Sequence, residues 1–445
     1  MQNLTELHGW TYYEVFQHYI RDRYNIEGED GHFYNLLLFD FTTQDWYIYN
    51  DGYYQLTPIQ KIRQLFHICM DLNKIPTNNQ KCSHCVQRLE AEYGVKGIWL
   101  DNDSYYENVL NGIILIPERQ LIAHSPMFHF KYQIPRKFDP EVDPVIPPLF
   151  HQALQCIPKK EDRDNFLKFW LIVAHKRHEF EVFLMCYGVR WGGKSSLLNI
   201  FAAMFGPHVL GKKPLFIIGE RFGMSNIYDK RLNIHADMPI ANLTPYTISQ
   251  LKTITGNDGG IDIEIKGKTP FAYPVQLFLA FGINQLMGFT KEAEKEIESI
   301  MRRVVLVEFP KKQAVDAAFK KQLVEPAFLD QLFSWLIITQ PMPLFDETDQ
   351  DEWVAGNKEK WIMNAYPIIR ILSERYEKVL NCSIEAYEVV EYVREQLKSE
   401  GQIISKDLKS YVTQAFATLD IYPNNKRGAN CHYLNVAYRM EMSDT

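Results

Sequence analysis

The chain has 445 residues, a formal net charge of −7, 46% hydrophobic and 23% charged residues. That length exceeds one ordinary core and predicts two or three domains, and the charge excludes a polycation, so nucleic-acid binding would have to come from local basic features. No apolar run reaches the roughly 18 residues of a membrane span, and "MQNLTELHGWTYYEVFQHYI" lacks the basic region, apolar block and cleavage site of a secreted protein, so a cytoplasmic protein without membrane contact is expected.

Along the first 148 residues the pattern is mixed α+β and rich in aromatics. "NLLLFDF" and "WYIYNDGYYQL" read as short strands, the second folded at the Asp51-Gly52 turn signal. "PIQKIRQLFHICMDLNK" spaces its apolar residues as a helix. Cys82-Ser83-His84-Cys85 has a metal-like look, but a zinc site needs four ligands and no second such pair follows. Ordinary helix or loop cysteines are the expectation, and seven scattered cysteines fit a reducing compartment. "VLNGIILIPERQLIAHS" reads as a hairpin around Pro117-Glu118. Pro135, Pro140, Pro144, Pro147 and Pro148 then mark a domain boundary.

From 149 the pattern turns helical, and "FEVFLMCYG" follows as a continuous apolar strand. It runs into "YGVRWGGKSS", which contains Gly188-x-x-x-x-Gly193-Lys194-Ser195, a complete phosphate-loop pattern opening the helix "KSSLLNIFAAMFG". Backbone N–H groups and a helix N-terminus can surround a triphosphate there. Gly192 and Gly193 permit close backbone approach, Lys194 can bridge phosphates, and Ser195 can ligate Mg²⁺. The apolar runs "RLNIHAD", "QLFLAFGIN" and "RVVLVEFP" follow, separated by helical segments. They predict a mostly parallel sheet with helices on its faces, an α/β fold.

Asp237 ends the first of these runs, where it could hold the cation or activate water; a turn aspartate is the alternative. Asn284 ends the next, where its amide could orient water or bond a phosphate; a turn asparagine is the alternative. Arg302 and Arg303 precede the last strand, where an arginine could act on a neighbouring subunit's nucleotide or simply be solvated. Between Asp237 and Asn284, "IDIEIKGKTPFAYP" reads as a hairpin with Lys266 and Lys268 at its tip. Such a tip could contact a phosphate backbone, or be a solvated turn.

This order of motifs resembles the superfamily 3 helicases, a viral and plasmid branch of the AAA+ ATPases. "TGNDGGIDIEIKGKTPF", "INQ" and "RRVVLVEFP" are similar to the primase-helicases of phages, satellite elements and poxviruses. Upstream, "VLNGIILIPERQLIAHSP" and "YQIPRKFDP" resemble the domain that precedes the ATPase in that group, so the likeness spans about 105–312. It implies a helicase-preceding domain over 1–148, an AAA+ P-loop ATPase core over 149–345 and a mainly helical C-terminal domain over 346–445. It also implies ATP and Mg²⁺ as cofactors. Gly188, Gly192, Gly193, Lys194, Ser195 and Ser196 would bind the nucleotide, and Ser195 and Asp237 the metal.

In this resemblance Asp237 is the Walker B acid, Asn284 the sensor and Arg303 the finger, with Arg302 its substitute. Lys266 and Lys268 would grip single-stranded DNA in the channel of a ring, usually a hexamer with ATP sites between subunits, working at replication forks. One departure is that Ala236-Asp237 stands where many members carry two adjacent acids; Asp258 is the candidate for the missing role. Asp40 ends "LLLFDF" and the "DNDS" acids Asp101 and Asp103 read as a loop, so priming is not assigned here; a primase or polymerase, as a fused domain or a separate partner, stays open.

The C-terminal end reads as a helix capped by Ser405, a basic turn with Lys426 and Arg427, and a strand. A winged-helix-like DNA-binding module and a helical packing or oligomerisation domain both remain open. The expected activity is ATP-driven helicase action in the replication of a phage or mobile element. The rival is an ATP-switched initiator or loader that assembles on DNA without unwinding it.

Overall fold

The computed structural model describes residues 11–28, 31–101, 103–218, 220–239, 241–256, 260–314, 316–344, 349–399, 407–424 and 431–439. The chain forms two compact units. The larger comprises Met1–Met238, Ser249–Gly282 and Val305–Leu344; the other comprises Pro239–Ile248, Ile283–Val304 and Phe345–Thr445. Among the described residues no helix is long and apolar enough to cross a membrane.

In the larger unit the N-terminal helix Tyr12–Tyr24 opens with a capping box between Thr11 and Glu14, which satisfies backbone donors that the first turn leaves bare. Its apolar face packs on the helices Ile59–Leu72 and Asn79–Glu92, with Phe16 edge-on to Phe66 at 5.3 Å. Cys82 and Cys85 lie one turn apart on the last of these, buried in the same core as Cys69. Burial pushes the Cys69 thiol up to about 12 and that of Cys85 to about 11, so both pack as neutral, apolar groups.

Strands Leu37–Asp40, Asp45–Asn50 and Tyr53–Thr57 form an antiparallel sheet beside these helices, with Gly94–Val95 added in parallel. Asp51 and Gly52 turn the hairpin at φ +53° and +92°, the double positive φ of a type I′ turn. The expected hairpin around Pro117-Glu118 is present, with Gly112–Leu115 pairing Gln120–Ile122; Tyr106–Val109 extends it to a three-stranded meander. Asp101 and Asp103 do loop work: Asp101 accepts the Lys131 N–H at 2.8 Å and Asp103 accepts the Tyr105 N–H at 2.8 Å.

The central five-stranded sheet runs in the order Leu210–Gly211, Leu232–His235, Phe278–Ile283, Phe183–Gly188, Val304–Phe309. The first three strands pair in parallel. Phe183–Gly188 and Phe278–Ile283 are buried along their whole length, as central strands covered on both faces must be, and this explains their unbroken apolar sequence. Helices Lys160–Ala174, Lys194–Phe205 and Pro326–Ile338 pack around it. Trp170 stacks flat on Phe201 with centroids 3.5 Å apart, and Phe150 and Phe166 meet the same ring edge-on.

A buried ionic cluster joins the meander to this sheet. Arg231, just before the strand Leu232–His235, donates to the Glu107 carboxylate and to the carbonyls of Val173 and Ala174 at 2.7 and 2.9 Å. Lys176 Nζ lies 3.6 Å from Glu107 and donates to the Tyr106 carbonyl at 2.7 Å. All three side chains are inaccessible to solvent. Burial pulls the Lys176 ammonium down to about 8, against the opposing pull of Glu107.

The smaller unit ends in a module ordered helix Pro367–Arg375, strand Tyr376–Glu385, helix Ala386–Ser399, helix Leu408–Thr418, strand Tyr422–Pro423, strand His432–Tyr438. Its antiparallel sheet runs Tyr376–Glu385, His432–Tyr438, Tyr422–Pro423 around Tyr376, Phe416 and Tyr433. The predicted helix and final strand are both there; Ser405, Lys426 and Arg427 lie outside the described residues.

Removing one member of the buried cluster strands the others. Glu107→Ala is expected to lower stability by about 3–5 kcal/mol, read as a lower urea midpoint for the unfolding of the larger unit.

Candidate functional site

The loop after Phe183–Gly188 is shaped by what it touches. Gly188 leaves the strand at φ +125°, and a Cβ there would lie 2.4 Å from the Phe309 carbonyl oxygen. Such a contact excludes any side chain, so the glycine is dictated by packing as well as by φ. Val189 N–H donates to that same carbonyl at 3.0 Å, which brings the ends of Phe183–Gly188 and Val304–Phe309 side by side. Trp191 follows at φ +65° with its side chain 69% exposed, while its carbonyl accepts the Gln313 N–H at 2.9 Å. At Gly193, φ +104°, a Cβ would come within 2.9 Å of Cys156 Sγ.

Helix Lys194–Phe205 starts directly from this loop, so its first N–H groups, which have no helical acceptors, face the loop. Lys194 is buried, and its ammonium donates to the carbonyls of Gly188 and Val189, both at 2.8 Å. Burial holds it below its ordinary range, and the Cys186 and Asp237 side chains oppose that shift. Ser195 is exposed in the first turn, and its Oγ donates to the Ala236 carbonyl at 3.2 Å. Asp237, the next residue along, is exposed. An ammonium, a hydroxyl and a carboxylate thus converge at one helix N-terminus, a donor set that suits phosphate and a hard cation.

The structure therefore brings Lys194, Ser195 and Asp237 together, with Gly188, Gly192, Gly193 and Ser196 around them. Met238 N–H donates to the Gly282 carbonyl at 2.7 Å, joining the end of the Asp237 strand to that of Phe278–Ile283. Asn284 and Arg303 belong to the smaller unit. There Gln285 donates to the Ala365 carbonyl at 3.3 Å, and the Leu286 N–H donates to the Asn364 side chain at 2.7 Å. Arg303 donates to the Ser299 carbonyl at 3.2 Å, and Arg302 is exposed. Asp258 lies outside the described residues.

The lysine hairpin consists of Ile261–Ile263 paired antiparallel with Phe271–Tyr273. Its turn closes by a Lys268 N–H to Ile265 carbonyl bond of 3.0 Å with Gly267 at φ +85°, the positive φ that a type II turn requires at its third position. Lys266 is exposed. Lys268 instead donates to Asp45 at 2.6 Å and to the Thr43 carbonyl at 3.0 Å.

Residues 186–303 match the profile of a family described as a family of unknown function (DUF5906), a span that opens just before the loop and closes on Arg303. No curated protein matches the chain. Among solved structures, the apo structure of the NrS-1 C-terminal region is similar at 12% identity and a TM-score of 0.49, over 90% of this chain and 96% of that one. An A form apo structure of the same region gives 12% identity and a TM-score of 0.48 over the same shares.

Cys156 and Gln313 shape the loop yet stand in no motif, and Phe309 reads only as part of the strand "RRVVLVEFP". Gly188→Ala must push the Phe309 carbonyl away; a loss of about 1–3 kcal/mol, typical of overpacking, is expected in thermal unfolding.

Proposed function

We propose that the protein is an ATP-dependent DNA helicase of phage or mobile-element replication, with an AAA+ type P-loop core. It would translocate on single-stranded DNA as a hexameric ring with ATP hydrolysed at subunit interfaces. The observation that carries this reading is the convergence of Lys194, Ser195 and Asp237 at the N-terminus of helix Lys194–Phe205. The loop is closed on Phe309 and Cys156 at Gly188 and Gly193, where no side chain stands in the way of its backbone N–H groups.

In this reading Lys194 exchanges its two carbonyl partners for phosphate oxygens, and Ser195 and Asp237 hold Mg²⁺. ATP with Mg²⁺ supplies the phosphoanhydride whose cleavage drives movement. Asp237 stands without a second adjacent acid, so it both holds the cation and orients water, and Asn284 assists from the end of its strand. Arg303 precedes the strand Val304–Phe309, whose far end packs on the loop. In this reading that arginine serves the nucleotide of a neighbouring subunit. Lys266 and Lys268 grip the DNA backbone through charge, without reading sequence. The C-terminal module has the helix–strand–helix–helix–strand–strand order and the sheet order of a winged helix, and we assign it to duplex contact at the fork.

Forked-duplex unwinding tests the motor. Lys194→Ala is expected to abolish strand separation, and a variant that unwinds like wild type would sink the proposal. Wild type that hydrolyses ATP on single-stranded DNA yet never separates strands would instead favour a loader that assembles without unwinding.

Arg303→Ala should lower ATP turnover by about 10³-fold or more, the usual scale of a finger. Mixed with Lys194→Ala subunits, it should regain part of that turnover, because each mutant supplies what the other lacks at a shared interface. Absence of recovery at every mixing ratio would remove the inter-subunit role.

A further inference from the structure

The lysine hairpin is held at two levels of very different strength. At its root, Tyr228 packs edge-on against Phe271 and Tyr273 at 5.5 and 4.9 Å. Lys131 donates to the Tyr273 hydroxyl at 2.9 Å and lies 3.9 Å from Asp101. Lys131 and Asp101 are nearly solvent-free there, with side chains 10% and 9% exposed, so the root is a fixed anchor. On the outer side Arg221 pairs with Glu264 at 2.7 Å in an exposed position.

At the tip, Lys268 reaches the turn that joins strands Leu37–Asp40 and Asp45–Asn50. It bonds the Asp45 carboxylate and the Thr43 carbonyl, and the two paired side chains keep 30% and 21% exposure. Asp40, opposite Asp45 in the sheet, is already used by the Thr42 N–H and the Trp99 indole, both within 2.8 Å. Asp45 is therefore the carboxylate left for the lysine.

The geometry points to a latch: Asp45 and a phosphate of single-stranded DNA compete for Lys268, so the N-terminal sheet restrains the hairpin until nucleic acid takes the lysine from it. This rests on the reading of the hairpin as the DNA grip. The chemistry is an exchange of one oxyanion for another on the same ammonium. A partly exposed ion pair costs less to exchange than the buried root, and a polyanion presents many phosphates at high local density. Lys266, exposed beside it, makes the first contact, and Lys268 follows once Asp45 is displaced. The buried root stays in place, so the tip can swing without the hairpin unfolding.

Fluorescence anisotropy with labelled oligo-dT across a salt series, on the full chain, tests the latch. Asp45→Asn should bind roughly two- to fivefold tighter, the scale of losing one partly exposed pair. Lys268→Ala should shallow the slope of log K against log salt by about 0.7, one phosphate contact to a single strand. An Asp45→Asn protein that binds no tighter overturns the latch, and so does an unchanged slope in Lys268→Ala. If Lys266→Ala and Lys268→Ala both leave affinity and slope untouched, the hairpin is not the DNA grip, and that part of the proposed function falls with the latch. If Lys266→Ala weakens binding while Asp45→Asn is silent, only the latch falls. Should Asp45→Asn fold poorly, hydrogen exchange on wild type decides: the turn at residues 41–45 should exchange faster when oligo-dT is added, and unchanged or slower exchange there overturns the proposal.

Discussion

Glu107 and Arg231 make the contact on which the arrangement of the larger unit depends. A carboxylate in the meander and a guanidinium at the start of a sheet strand meet where water cannot reach either. Isolated charges in such a place would be costly, so the pair, with Lys176 and the carbonyls of Val173 and Ala174, has to form as a set. Its energetic worth relative to an apolar core is small, but its geometric demand is strict. It locates the strand Leu232–His235, which leads to Asp237, with respect to the N-terminal region, and the hairpin contacts at Lys131 and Asp45 are made within the same unit.

The loop illustrates a different kind of constraint. Its glycines are required by neighbours more than by any ligand. Gly188 is walled by the Phe309 backbone and Gly193 by Cys156. The path of the loop is thereby written partly by the segment after Val304–Phe309, which returns to bond it again through Gln313. Lys194 is tied to two carbonyls of its own loop, so any phosphate it meets has to replace those bonds.

Much of this architecture could be read in the sequence where one local rule governs. The unbroken apolar runs at 183–188, 278–283 and 304–309 announced buried strands, and Asp51-Gly52 announced its turn. The place of Lys194 and Ser195 was legible because a strand–loop–helix unit leaves little freedom to its residues, and that of Asp237 because it ends a neighbouring apolar run. Long-range pairing was not legible: nothing local in "YENV" marks Glu107 as the partner of Arg231, 124 positions away. Lys268 was readable as a tip residue, but its engagement with Asp45 depends on how two distant turns meet. The strand Tyr376–Glu385 escaped notice because it is mostly exposed and irregular, with Asn381 at φ +66° and a register shift between Lys378 and Ser383.

The smaller unit is assembled from three separate excursions of the chain, leaving after Met238, Gly282 and Leu344. The last excursion completes the other two. Asn357 caps the carbonyls of Met301 and Val304, Trp361 bonds the carbonyl of Met287, and Tyr366 accepts from Phe289. The C-terminal region is therefore not a separable attachment. Evolution could not exchange or discard it as a cassette without also reworking the segments that bear Asn284 and Arg303, so these parts are bound to a common history.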